Sequence, residues 1–535
     1  MGIIKKINTA LSMWQRGGYR SVADHLSLLE HNRKERRREK KWYQTHASLT
    51  DFERADIRSQ IAGFASQPLI SIILPVYSVD DIWIRKCIDS VLGQLYENWE
   101  LCIADNVSPH PEVRPLLREY AARDSRIKII FRDINGNISA GSNSALELTT
   151  GLFSVLLDHD DELTEDALFW VASEINLRPD VGMIYSDEDM IDPSGKRYWL
   201  KFKPDWSQDL FYSLNLITHL SAYRTDLLKK IGGFRLGAEG SQDYDLALRV
   251  IEQIEPSQIC HIPRILYMWR AIEGSVAHDP DSKPYAYERA RDAIRRHFER
   301  CGINATVEPT VFNFHRVRYL LPDPPPKITV ISVTDENSSA LHLNAAVKDS
   351  GASVICFLEA GLMPQCENWQ TELAGFAIQP GIGAVGGSVL DPNGNVVDGG
   401  LIIGAGGLAG VAHKGFRKTF LGNMHRNQVI CNYSAISLSC LAMRREVFDQ
   451  IGGFDEVNFP NALFAVDLCL RLREAGYRIV FTPFVEMVRE MELLQKMPTT
   501  SEEQNFRKRW SSYIETDPFY NPNLSKKDAN FSIDI

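Results

Sequence analysis

The sequence predicts an α/β chain in which a mainly parallel sheet, covered by helices on both faces, is followed by a smaller, degenerate copy of itself. Three observations carry that expectation. From Leu69 onward, apolar strand-like runs alternate with amphipathic helical patterns, and such alternation builds parallel strands joined by crossover helices. Acids stand where several of those runs stop, which is where open α/β sheets bind ligands. Beyond the proline run LPDPPPK, Leu321 to Lys327, strings of the first unit come back.

A chain of 535 residues, 44% of them apolar, has room for two or three domains. Its longest apolar stretch, Leu401 to Ala412, is broken by glycines and falls far short of the roughly 18–20 residues that span a bilayer. Lysines near the start are followed by no continuous apolar core, so no signal peptide is expected. Nine cysteines without a CxxC pair argue for reduced thiols and a cytoplasmic location, against a zinc site or a disulfide framework. A net charge of −10 gives no reason to expect nucleic acid as a partner.

Residues 1–65 read as a basic helical region. Residues 1–41 carry eleven Lys or Arg against four Asp or Glu. Ile4, Ile7, Leu11 and Trp14 recur at helical spacing beside Lys5, Lys6 and Arg16, the pattern of a helix lying on an anionic membrane surface. The alternative is a helix packed on the protein's own surface with its charges solvated.

The first domain is expected over 66–318. ISIILPVYS, Ile70 to Ser78, is a buried parallel-type strand, and IRKCIDSVLGQL after it an amphipathic helix. WELCIADNVS ends a second strand at Asp105, RIKIIFRD is a third, and SNSALELTT is a helix leading into the central run LLDHDDEL, Leu156 to Leu163. Asp158 and Asp160 sit two apart, so in extended chain both point to one side. Together they can hold a hard divalent cation shared with substrate phosphates; the alternative is a solvated acidic turn before the helix that Thr164 caps. SDED, Ser186 to Asp189, is either a turn or a set of contacts to acceptor hydroxyls. Asp243 opens the helical pattern DYDLALRVIE, where the helix dipole favours its ionised form, and Asp245 reads as a structural acid of the same turn. His219 and His261 have no partner at metal-ligand spacing and read as structural. Trp199, Trp206 and Trp269 are either sugar-stacking faces or packing.

Taken in order, PVYS, WELCIADN, NGNISAGSNSAL, LLDHDDEL, YSDEDMID, GGFRLGAEGSQDYDLALR and HIPRILYMWR resemble the inverting family 2 glycosyltransferases of the GT-A fold, nearest the bacterial subgroup of O-antigen, rhamnan and other surface-polysaccharide transferases. The resemblance implies a nucleotide pocket at Pro75, Tyr77 and Asp105, with Asn106 where many relatives have a second acid. It implies donor binding by Asp158 and Asp160, with Mg²⁺ or Mn²⁺ held by Asp160 and Asp161. Asp243 becomes the general base, and Trp269 and Arg270 close the site over the donor. Asp187, Asp189 and Gln242 are the candidate acceptor contacts. The processive QxxRW signature is absent, so single or limited additions are expected. Rhamnose from dTDP-rhamnose is the subgroup-based donor, with UDP-sugars the alternative. A glycan or lipid-linked oligosaccharide is the implied acceptor, at the inner face of the plasma membrane.

The linker is placed at 319–327, the second copy at 328–490 and a tail at 491–535. ITVISV resembles the first strand, ASVICFLEAGLMP the acidic strand, GGFDE at Gly452 repeats GGF at Gly232, and VDLCLRLREAGYRIVFTP repeats the helix after the base. Where chemistry would occur this copy departs: Glu359, Ala360 and Gly361 replace the acids, and Phe464 and Ala465 stand before Val466 and Asp467 where the base should be. It is expected to be a non-catalytic fold that holds glycan, braces the first domain or pairs with a partner. For the chain as a whole two functions are open: an inverting, metal-dependent glycosyltransferase, or a non-catalytic glycan-binding or scaffold protein.

Overall fold

A computed structural model describes residues 29–272, 284–490 and 496–535. The membrane-type pattern at Ile4 to Trp14 lies outside them, as does the start of the tail. Among the described residues no helix is long and apolar enough to cross a membrane.

The first sheet is built from β1 (Ile70–Val76), β2 (Trp99–Asp105), β3 (Ile127–Phe131), β4 (Phe153–Leu156), β5 (Glu162–Leu163), β6 (Met183–Ile191), β7 (Arg197–Lys201), β8 (Ser221–Arg224) and β9 (Ile259–Arg270). Its order is β3-β2-β1-β4-β8-β6-β9-β5, with β7 beside β6. The run β3-β2-β1-β4 is parallel, and so is the β6–β9 pair; β8 lies antiparallel between β4 and β6. Every residue of β1 and β2 is buried, because helices cover both faces, and this is why both strands read as continuous apolar runs.

The second sheet repeats this plan with its outer part removed. Ile328–Val333, Val354–Glu359, Cys440–Arg444, Ile382–Leu390, Arg478–Arg489 and Leu362–Pro364 follow in the order of β1, β4, β8, β6, β9 and β5. Each neighbouring pair has the same parallel or antiparallel sense as its counterpart. Among the described residues nothing takes the places of β2 and β3.

Side chains repeat as well. Arg249 reaches the Ile231 and Gly233 carbonyls at 3.0 and 2.7 Å and pairs with Asp245 at 2.7 Å. Arg471 reaches the Ile451 and Gly453 carbonyls at 2.6 and 2.7 Å and pairs with Asp467 at 2.7 Å. Both GGF turns place two successive residues at positive φ, 78° and 66° in the first and 82° and 66° in the second. Glycine adopts that region without steric cost, which explains why the string survives when the acids do not.

The halves share one apolar core and a polar seam. The Asn432 side chain accepts from the Ser207 hydroxyl and the Asp209 amide, each at 3.0 Å, and donates to Asp209 at 2.7 Å. Arg478 adds an ion pair to Asp209 at 2.8 Å. Residues 29–46 form a helix docked on this body: Tyr43 donates to Asp189 at 2.8 Å, and the His31 ring meets Phe416 edge-on at 5.0 Å. The basic run Arg33 to Lys41 therefore lies on a helix packed against the protein itself.

Candidate active site

A cavity of about 1390 Å³ opens at the carboxyl ends of β1 and β4. Pro75 at the end of β1 and Tyr77 just after it, Asn106 after β2, and Asn135 and Asn137 at the start of helix Asn137–Glu147 form one part of its wall; Asp158 and Asp160 follow β4. Gln242 and Asp243 at the start of helix Gln242–Ile251 form another part, with Trp269 from the end of β9. Among the described residues, seven of the twelve non-glycine positions with positive φ line it: Ser78, Asn137, Trp199, Thr218, Asn313, Met424 and His425. Such conformations cost energy and cluster where function requires them.

The acids are held from below. Tyr267 donates to Asp161 at 2.5 Å and accepts from the Asp158 amide at 3.2 Å. The other Asp161 oxygen accepts from the Arg270 amide at 2.7 Å, and the Arg270 guanidinium grips the Asp160 carbonyl at 2.7 Å and the Glu162 carboxylate. Burial, opposed by His159 and reinforced by the charge of Asp158, raises the pKa of Asp160. Asp243 accepts from the Asn215 amide at 2.8 Å. Its pKa is also raised, by burial first, with His219 opposing and Asp158 contributing, so the predicted base lies within electrostatic reach of the strand-end acids.

His219 is the residue that sequence spacing misses. Its ring stacks on Tyr267 at 4.4 Å, and one ligand atom each from Asp158, Asp161 and His219 lie within 4.8 Å of one another. This trio fits a divalent cation, and it differs from the expected Asp160–Asp161 pair. Glu188 of the SDED run and Lys203 hold the chain at His219: Glu188 accepts from Thr218 and from the His219 amide, while Lys203 donates to the Ile217 and His219 carbonyls. Burial pulls the Lys203 amine down to about 8 against the opposing charge of Glu188.

Five expected contacts do not form the wall. Asp105 is fully buried under Arg114, 2.6 Å from its Nε, and caps the Ser108 amide, leaving Asn106 on the cavity. Asp161 is buried within the acid loop, off the cavity wall, and Arg270 sits beneath that loop rather than over a donor. Asp187 is spent on the Lys203 amide, His261 and Asn521 of the tail. Asp189 is held by Tyr43 and Arg197. Both lie on a strand buried along its whole length, so neither reaches an acceptor. Trp206 packs on Phe211, whereas Trp199 and Trp269 reach the cavity.

Burial pushes the Asp189 carboxyl up to about 6, opposed by Arg197. The unfolded value is about 3.9, so the folded chain binds the extra proton and the contribution of Asp189 to stability grows as pH falls from about 6 toward 4. Asp189→Asn, neutral at every pH, is expected to remove that increment. Urea midpoints at pH 4.5 and 6.5 that shift equally in both proteins would deny it.

In the second copy, Glu359 is closed off by Ser439 at 2.6 Å and Arg489 at 2.7 Å, with Asp398 sharing both partners. The place of the acids is thus filled by an internal ion pair.

Comparison with known proteins agrees with this geometry. Residues 71–232 match the sequence model "Glycosyl transferase family 2". The "Putative colanic acid biosynthesis glycosyl transferase WcaA" of Escherichia coli K12 is 32% identical over 212 residues, covering 38% of this chain and 74% of that protein. The chain belongs to glycosyltransferase family 2. Two longer relatives of this family 2 chain align over 87% of it. "Uncharacterized protein y4gI" of Sinorhizobium fredii is 36% identical, and "O-antigen biosynthesis protein RfbC" of Myxococcus xanthus 28%. The chain spans 58% and 41% of their lengths.

Proposed function

We propose that the first half transfers a sugar from a nucleoside-diphosphate donor to an acceptor hydroxyl with inversion, and that it does so in the assembly of a bacterial surface polysaccharide. The observation that supports this most is one cavity holding the strand-end carboxylates Asp158 and Asp160 beside Asp243. Pro75, Tyr77, Asn106 and Asn137 cradle the nucleotide. Asp158, Asp161 and His219 would hold Mn²⁺ or Mg²⁺, oxygen ligands suiting both and the imidazole favouring Mn²⁺. When bound, such an ion offsets charge developing on the leaving diphosphate.

Asp243 takes the proton of the acceptor hydroxyl as that oxygen bonds the anomeric carbon and the carbon–phosphate-oxygen bond breaks, its electron pair leaving with the nucleoside diphosphate. Asn215 fixes which oxygen of Asp243 points inward. Gln242 lies next to the base on the same wall. The names of RfbC and WcaA support a place in O-antigen-like or colanic-acid-like synthesis. A dTDP-rhamnose or UDP-sugar donor and a lipid-linked acceptor at the inner membrane face complete the reading. A purely glycan-binding role fits the second half, whose acids are paired internally.

Thermal unfolding with UDP, dTDP and GDP, with Mn²⁺ or with EDTA, tests this. A ligand at 100 times its Kd adds about 2.7 kcal/mol of apparent stability. One nucleotide is expected to stabilise only with metal, with the effect lost in Asp158→Asn and the metal affinity lowered at least about tenfold in His219→Ala, the cost of losing even an outer partner of a metal ligand. A folded protein stabilised by no nucleotide would refute the proposal.

A further inference from the structure

The cavity that holds the acids is not closed by the first half alone. Asn313 and Phe314, at the junction of the halves, and the turn Gly422 to His425 of the second half line it too. Pockets for one small ligand measure about 300–1,000 Å³, and 1390 Å³ exceeds that range, so a donor leaves space over.

The spare space has a definite place. Asn106 follows β2, and Trp199 and Lys201 belong to β7, which lies beside β6 on the side of β8. Three strand spacings separate β2 from the column of β8 and β7, through β1 and β4, on the order of 14 Å. His425 lies toward β7, feeling the charge of Lys201. Its ring meets Phe314 at 4.5 Å, and His315 stacks over Tyr244, the residue after the base, at 6.2 Å. The aromatic pair therefore stands near the start of the helix that carries Asp243, on the β7 side of the cavity rather than the β2 side.

Its chemistry is that of a carbohydrate contact. A pyranose offers an apolar CH face and a rim of hydroxyls; here two rings lie beside Asn313, while the Asn423 amide is turned to the Phe202 carbonyl and Arg426. Burial holds His425 down to about 4, so its ring is neutral at pH 7 and binds as an aromatic surface. The nearby cation, Lys201, is paired with Glu188 at 2.6 Å, which argues against a phosphate as occupant. Asn313, Met424 and His425 hold φ of 60°, 51° and 58°, a cost that persists only where the surroundings demand it.

We infer that Phe314 and the Gly422–His425 turn form the subsite for a neutral pyranose of the acceptor saccharide, so that the degenerate half supplies acceptor recognition to the catalytic half. This rests on the reading of Asp243 as the base of a sugar transfer. It gives the second copy a reason to persist without acids: its turn selects which glycan presents a hydroxyl.

Saturation-transfer NMR on the full chain, with the methyl α-glycosides of rhamnose, mannose, glucose and galactose, tests it. His425→Asn keeps a residue that tolerates positive φ, and Phe314→Leu keeps the apolar volume, so both should fold. At least one glycoside is expected to receive saturation on its ring protons, with the signal falling about fivefold in each variant, while Mn²⁺-dependent stabilisation by nucleotide is retained. Undiminished signal in both variants overturns the inference, as does no glycoside signal in a wild-type sample that responds to nucleotide. A wild type deaf to every nucleotide, whose glycoside signal still depends on Phe314 and His425, keeps the saccharide subsite and defeats the donor reading instead.

Discussion

Asp243→Asn is expected to lower the rate of sugar transfer by about 10²–10⁴-fold, the usual worth of a positioned general base, while leaving metal-dependent nucleotide binding in place. The amide keeps the size of the carboxylate and can still meet Asn215, so the loss reads proton transfer rather than folding. The pH profile provides a second readout. Burial raises the Asp243 pKa, the base works only when ionised, and activity is therefore lost as pH falls through a value above the ordinary carboxylate of about 3.9. Initial rates across pH, with and without the substitution, check both statements. A variant that transfers at the wild-type rate would move the base elsewhere.

The strands of the first sheet could be read in the sequence because β1 and β2 are buried on both faces and show it as unbroken apolar runs. The repeat could be read because GGF and the Asp–Arg pair of the following helix serve the backbone geometry of both copies. Asp158, Asp160 and Asp243 were legible because each ends a strand or starts a helix, and the structure places them on one cavity. Burial depth was not legible. SDED looks like a cleft-facing acidic string, yet the partners of Asp187 and Asp189 come from Tyr43, Arg197, His261 and Asn521, as far as 334 residues away. No local pattern announces such neighbours. His219 joins Asp158 and Asp161 for the same reason, through the order β4-β8-β6 rather than through spacing. The turn at His425 belongs to the other half altogether, and only the packing of the halves brings it to the site.

Arg270 carries the second large effect. The resemblance places it over the donor, but its guanidinium is fully buried below the acids, 4.6 Å from the Trp83 ring, with Nε on the Asp160 carbonyl and Nη2 on Glu162. Removing one partner of a buried pair leaves the other charge without compensation, a loss of about 3–5 kcal/mol. Arg270→Met fills much of the volume, so the expected fall in urea midpoint measures the lost pair rather than a cavity. The loop 158–161 then loses its grip from below, and the Mn²⁺-dependent response to nucleotide should go with it. Arg270→Lys is expected to rescue little, because one ammonium cannot reproduce a planar fork that meets a carbonyl and a carboxylate together. A stable Arg270→Met protein with an intact metal response would show that Tyr267 alone suffices to order the acids.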